Sequence, residues 1–187
     1  MTNAYQRKKQ PEVVRRALLD CAASLASEQG VGAVTVQAVA DAAGVTKGGF
    51  FHHFPSKQAL VEAVLNDLMD QFEAEIDAAM AKDPVVYGRF TRAYVEVSLK
   101  ALADGSSGEY AALYVALLSD PELGRMCAER FARYHARYHA IDNDPILEIV
   151  RLAADGAWFA VLDRPANVPA LDLPALRDRL VAMTRTA

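Results

Sequence analysis

Apolar residues recur along this chain at intervals of three and four, and nowhere alternate with polar ones for long enough to build a sheet. The spacing predicts an all-α protein of about nine helices, at 11–29, 36–43, 47–53, 56–81, 84–103, 108–118, 121–140, 145–163 and 173–184. In the first, Val14, Leu18, Cys21 and Leu25 share a face and Gly30 follows as a stop. In the fourth, Leu60, Val64, Leu68, Phe72, Ile76 and Met80 form a stripe that drifts slowly around the helix. The eighth, PILEIVRLAADGAWFAVLDR, is apolar on nearly every side and must be covered on both. Its Ala153, Ala154, Gly156 and Ala157 permit close helix contact beside Trp158, the sole tryptophan. Asp-Pro pairs at 83–84, 120–121 and 144–145 predict three helix starts, with aspartate as cap and proline where a missing N–H costs nothing. Loops are expected at 104–108, about 141–144 and 164–172.

Residues 35–54, TVQAVADAAGVTKGGFFHHF, depart from this pattern of long helices. Two short helices, capped by Thr35 and Thr46, flank a turn at Gly44, which is the signature of a helix-turn-helix. Val36, Val39 and Ala40 give the first an inner face, and Ala43 is small enough for a close crossing. Gly44 supplies the left-handed conformation that ends the helix, Val45 plugs the corner, and Phe50 and Phe54 pin the second helix inward. Thr46, Lys47, Gly48 and Gly49 are left pointing outward. Two adjacent glycines cost about 1 kcal/mol each in a helix relative to alanine. Lys47 in a first turn faces the positive end of the helix dipole, and so does Lys57 behind its cap Ser56. A surface that must lie against a polyanion explains both choices.

Composition sharpens this picture only modestly. Of 187 residues 52% are apolar, ample for a core, and no run approaches the roughly 20 residues that cross a bilayer. The opening MTNAYQRKKQPEVV has charge with no apolar stretch behind it, so no secretory signal is expected and the chain is placed in the cytoplasm, without membrane partners. Cys21 and Cys127 stand alone in helical patterns and read as reduced, buried small hydrophobes. The net charge of -4 divides unevenly: residues 1–60 carry seven Lys/Arg against four Asp/Glu, and the remainder is acidic. A basic front on an acidic body suits a protein that offers one end to nucleic acid.

Residues 15–60, above all GVTKGGFFHHFPSKQAL (Gly44–Leu60), resemble the DNA-binding domain of the TetR family of transcriptional repressors. The resemblance implies a three-helix DNA-binding domain over residues 1–55 and a helical ligand-binding and dimerisation domain over 56–187. It implies that Thr35 holds a phosphate through its cap, and that Thr46, Lys47, Gly48 and Gly49 face phosphates and base edges. Phe51 stands where the family usually has tyrosine, which keeps an apolar contact and loses a hydroxyl. His52 and His53, at the end of that helix, would donate to phosphate, and Lys57 would contact phosphate. Arg7, Lys8 and Lys9 form an arm that reaches a minor groove or is simply a solvated tail.

The body is rich in large apolar and tyrosyl residues, and a buried tyrosine hydroxyl needs a partner that a ligand can supply. The resemblance places an inducer pocket between the helices at 56–81 and 121–140, with Met69, Phe72, Ile76, Phe90, Tyr94, Tyr110, Tyr114, Phe131 and Tyr134 as its candidate lining. The expected effector is a small apolar or aromatic molecule, with no cofactor and no bound metal. Covering the helix at 145–163 with that at 173–184 and their copies gives the family's four-helix homodimer interface, around Trp158. The expected function is a repressor that leaves a pseudo-palindromic double-stranded operator when effector binds. His135 and His139, four apart in RYHARYHA, have a metal-ligand spacing. They read as a solvated face beside Arg130, Arg133 and Arg137, and with Cys127 they leave a metal- or redox-responsive repressor as the alternative. A small helical enzyme is the rival from another class; no nucleophile–base pair, phosphate loop or HExxH motif supports it.

Overall fold

Local capping chemistry sets where the helices begin. The computed structural model describes residues 10–103, 119–162, 167 and 169–185. Among them stand eight α-helices and no strand: α1 Gln10–Gln29, α2 Val36–Ala42, α3 Lys47–His53, α4 Lys57–Met80, α5 Arg89–Ala103, α6 Pro121–Ala136, α7 Pro145–Leu162 and α8 Leu173–Met183. The helix expected at 108–118, with Tyr110 and Tyr114, and the arm Arg7-Lys8-Lys9 lie outside the described residues.

Asp120 and Asp144 cap as their Asp-Pro pairs predict. Asp120 Oδ1 accepts from Glu122 N–H at 3.0 Å, and Asp144 Oδ1 from Ile146 N–H at 2.9 Å. The pair at 83–84 does not start a helix. Asp83 Oδ1 turns back to Val85 N–H at 2.9 Å, while Oδ2 accepts from Arg92 Nε at 2.6 Å. Val85 and Val86 run on as irregular chain, Gly88 takes a left-handed φ of 69°, and α5 begins only at Arg89. A Cβ on Gly88 would stand 3.0 Å from Arg92 Nη1 and 3.2 Å from the Thr184 carbonyl oxygen, tight contacts that add to the backbone strain any side chain would meet at this φ. Helix α6 also stops short of the expected residue 140. After Ala136 the chain tightens into i→i+3 bonds, Arg137 N–H to Tyr134 O at 3.2 Å and Tyr138 N–H to His135 O at 3.0 Å.

Packing divides the described chain into two units, 10–69 with 119–123, and 70–103 with the described residues of 124–185. In the first, Leu18, Leu19 and Ala22 of α1 meet Val39 and Ala40 of α2, Phe50 and Phe54 at α3, and Leu60 of α4 in one apolar core. Arg16 of α1 reaches Asp67 of α4 at 2.7 Å. The division drawn from the motif at 55/56 therefore falls inside this unit, because the start of α4 packs on the same core.

In the second unit α5, α7 and α8 pack on one another. Phe90, Val95, Leu147, Val150 and Ala154 are buried there, and Arg130 ties α6 to Glu73 of α4 at 2.6 Å. The buried face of α7 leaves Ile149 55%, Leu152 61% and Phe159 53% exposed on its other sides. No helix of the described residues is long and apolar enough to cross a membrane.

Candidate nucleic-acid interface

The caps read from the sequence fix this surface. Thr35 Oγ1 accepts from Ala38 N–H at 3.1 Å and Thr46 Oγ1 from Gly49 N–H at 3.0 Å, each satisfying a donor left over in a first turn. Between the two helices Gly44 adopts φ 66°. Val45 N–H bonds Ala40 O at 2.9 Å and Gly44 N–H bonds Asp41 O at 3.1 Å, the paired bonds of a Schellman stop. The turn is therefore rigid, and it sets the angle at which α3 leaves α2.

Helix α3 splits cleanly by face. Phe50 is fully buried and Phe54 nearly so, under the Arg15 guanidinium at 5.1 Å from the Phe54 ring. Thr46, Lys47, Gly48, Phe51 and His52 are exposed, Gly49 and His53 half-exposed, and Phe51 keeps 51% of its surface in solvent. Its ring rests edge-on against Phe50 at 5.4 Å, and the His52 and His53 rings meet at 5.3 Å. Ser56 caps α4 through Ala59 N–H at 3.0 Å, leaving Lys57 exposed at its first turn, and Thr35 is exposed beside α2. Neither Lys47 nor Lys57 pairs with a carboxylate among the described residues, whereas Asp41 on α2 is held by Gln37 Nε2 at 2.6 Å.

The glycines carry the most information. A Cβ on Gly48 would meet only Thr46 Oγ1 at 3.7 Å, and one on Gly49 would meet Thr46 Oγ1 and Val45 Cβ at 3.5 Å, ordinary contact distances. Both have ordinary helical backbone. Nothing inside the fold asks for glycine at either place, so the helix carries their cost of about 1 kcal/mol each without a steric reason of its own.

In the body, the residues expected to line an effector pocket form a packed aromatic cluster. Phe72 meets Tyr94 at 5.7 Å and Phe131 at 6.3 Å, and Phe90 meets Tyr94 at 6.1 Å and Tyr134 at 5.7 Å. Ile76 is fully buried, and Met69, at the end of the first unit, is 5% exposed. The tyrosine hydroxyls find partners within the chain: Tyr94 donates to Asp155 at 2.5 Å, Tyr134 to Asp77 at 3.1 Å and Tyr138 to Asp77 at 2.5 Å. Burial and Asp155 push the Tyr94 phenol well above its ordinary range.

His135 is not on a solvated face. It sits half-buried among Phe90, Tyr94 and Phe131, with ring distances of 5.2, 5.8 and 6.0 Å, while His139 is exposed. Helix α6 ends between them, yet both line one pocket of the second unit, and no cluster of three or more metal-ligating side chains occurs among the described residues. Burial pushes the Cys127 thiol upward, away from the thiolate that redox sensing needs.

Sequence reasoning missed Asp142, Arg151 and Asp155, which bring charge into this core. The signal was present: Arg151 and Asp155 stand four apart in a helix whose one other charge is Glu148 in its first turn.

Residues 18–64 match the family model for bacterial regulatory proteins of the tetR family, and residues 88–185 match that of the tetracyclin repressor-like C-terminal domain. The HTH-type transcriptional repressor KstR2 of Rhodococcus jostii is 32% identical over 117 residues, 63% of this chain and 54% of that protein. The HTH-type transcriptional regulator BetI of Cronobacter sakazakii is 25% identical over 82% of this chain and 83% of its own length. A transcriptional regulator from Pseudomonas aeruginosa shares the fold with a TM-score of 0.73, at 19% identity over 95% of this chain and 91% of that one. The chain spans about half the length, or less, of the first curated relatives it matches. With one model covering the caps and turn of α2–α3 and the other more than half of the residues, the chain belongs to the tetR family of bacterial regulatory proteins.

Proposed function

We propose that the chain is a ligand-responsive transcriptional regulator, a repressor that holds a pseudo-palindromic operator through its helix-turn-helix and the start of α4, and leaves it when a small molecule binds in the helical body that follows. One observation carries this reading. The exposed face of α3 keeps two glycines that the fold does not require, flanked by Lys47 and Lys57 at positive helix ends without acidic partners among the described residues. Glycine lets a backbone approach base edges, and phosphate supplies the charge that these lysines lack. Thr35 and Thr46, with hydroxyls at helix starts, and His52 and His53 at the far end complete a phosphate-facing rim, with Phe51 as an apolar contact.

The effector is a small apolar or aromatic molecule received between α4 and α6, where Phe72, Ile76, Phe90, Tyr94, Phe131 and Tyr134 supply the surface. An organic effector is favoured over an oxidant by the buried Cys127 thiol, which burial keeps protonated. A second copy covers α7 and α8, because Ile149 and Leu152 leave more apolar surface exposed than a surface helix ordinarily presents.

Selection of bound duplexes from a random pool tests the reading. It should enrich an inverted repeat whose half-sites lie about one helical turn apart, and the chain should elute as a dimer at micromolar concentration. A pool that stays random, or a 20 kDa monomer, contradicts it.

A further inference from the structure

Two adjacent arginines of α1 are used differently. Arg16 is committed: its guanidinium bonds Asp20 one turn on, at 2.7 and 2.5 Å, and reaches Asp67 of α4 at 2.7 Å. Arg15 is exposed and pairs with no carboxylate among the described residues, although Glu12 stands three residues before it on the same helix. It is nonetheless held in place. Its guanidinium carbon lies 5.1 Å from the centre of the Phe54 ring, itself 3% exposed and part of the core of the first unit. A cation laid on an aromatic ring is attracted to the ring's negative face, and its edge N–H groups stay free to donate. A fixed, exposed charge without a counter-charge in its own unit calls for a partner outside the chain.

The place where it is held indicates which partner. Phe54 directly follows His53, the last residue of α3, and precedes the cap Ser56 and Lys57 in the first turn of α4. Arg15 therefore stands at the joint between the two helices that carry the phosphate-facing rim. We propose that Arg15 is a further contact to operator DNA, a fork that grips a backbone phosphate near the one met by Lys57. The inference rests on the reading of α2 and α3 as a DNA-binding pair, and Arg15 lies before the residues 18–64 that match the tetR family model.

Position along α3 assigns Arg15 to phosphate and not to bases. The residues that face base edges, Thr46, Lys47, Gly48 and Gly49, are at the start of α3, whereas Phe54 holds Arg15 at its other end. The guanidinium fork matches two phosphate oxygens at once, and stacking on Phe54 leaves less side-chain freedom to be lost on binding. A phosphate contact carries no sequence information, so Arg15 adds affinity to every duplex alike.

The test is a titration of the purified full chain by fluorescence anisotropy, with the selected operator and with a scrambled duplex of equal length, over a range of salt concentrations. Arg15→Gln should lower the slope of log affinity against log salt by about one unit on both duplexes. That amounts to about a tenfold loss at about 0.1 M salt, converging with the unaltered chain near about 1 M. Arg15→Met keeps an apolar stem over Phe54 and should give the same loss, which covers the case in which Arg15→Gln does not fold. Arg15→Lys, which keeps the charge, should keep the slope. Arg16→Gln removes an equal charge one residue away and should also keep it, because Arg16 is spent on Asp20 and Asp67. A folded Arg15→Gln or Arg15→Met with the full slope overturns the proposal. So does an equal loss in Arg16→Gln, which would report net charge alone, or failure of both uncharged variants to fold, which would make Arg15 only a cover for Phe54. An unaltered chain that binds neither duplex overturns the DNA-binding reading itself, and that result is seen before any substitution is made.

Discussion

The two units bury different things. Every buried side chain described in the first unit, from Leu18 to Met69, is apolar, and its polar and basic groups stand outside. The second unit buries Thr91, Arg92, Ser98, Asp142 and Thr184 among its apolar residues. A small apolar core that carries its chemistry on the surface is suited to meet a partner too large to enter it. A core that carries its own charges is suited to receive something small, because a buried polar group is tolerable only when it is answered from within or by a guest.

The largest expected contrast comes from removing one charge from each unit. Asp142→Ala leaves Arg151 and Thr91 without their shared acceptor and should destabilise the chain by about 3–5 kcal/mol, seen as a lowered Tm. Lys47→Ala should change stability by no more than about 0.5 kcal/mol, yet relax operator choice by about 1–3 kcal/mol at particular base pairs. An unchanged ranking of operator variants would remove Lys47 from base reading. Lys57→Ala should weaken all sequences alike and flatten the salt dependence by about one unit of slope.

The smallest effect is a matter of pH. His135 has a folded pKa below its ordinary value near 6.5, through burial first and Arg151 second, so the folded state binds fewer protons than the unfolded one. Its contribution is full above about pH 6.5 and is lost as pH falls through the lowered folded value. The Tm of His135→Phe should therefore fall less between pH 7.5 and pH 5.5 than that of the unaltered chain; equal falls would contradict the assignment.

How much of this was legible in the chain depended on the range of the interactions involved. The first unit is governed by neighbours three to five residues apart. Thr35 bonds Ala38, Thr46 bonds Gly49 and Val45 bonds Ala40, and all three spacings are visible in the letters. The second unit is governed by partners far apart. Asp83 bonds the N–H two residues on as Asp120 and Asp144 do, yet no helix follows it and its other oxygen holds Arg92, nine residues away; Asp142 is held by Thr91, 51 residues away. The expectation that α6 continues to residue 140 failed for a related reason: Tyr138, in the turn beyond α6, stacks on Phe90 and bonds Asp77. The apolar, aromatic character of that region was readable, but the charges threaded through it were not, because their partners are not periodic.

The account rests most heavily on the two glycines of α3, and one paired measurement tests it directly. Gly48→Ala with Gly49→Ala removes a helix cost that nothing inside the fold explains, at positions where a Cβ has room. The double variant should gain stability, by about 1–2 kcal/mol, while losing affinity for the selected operator by at least tenfold. Opposite movement of Tm and DNA affinity is the predicted result. A variant that gains stability and binds operator as tightly as before would contradict it, since α3 would then have no need to bring its backbone against DNA.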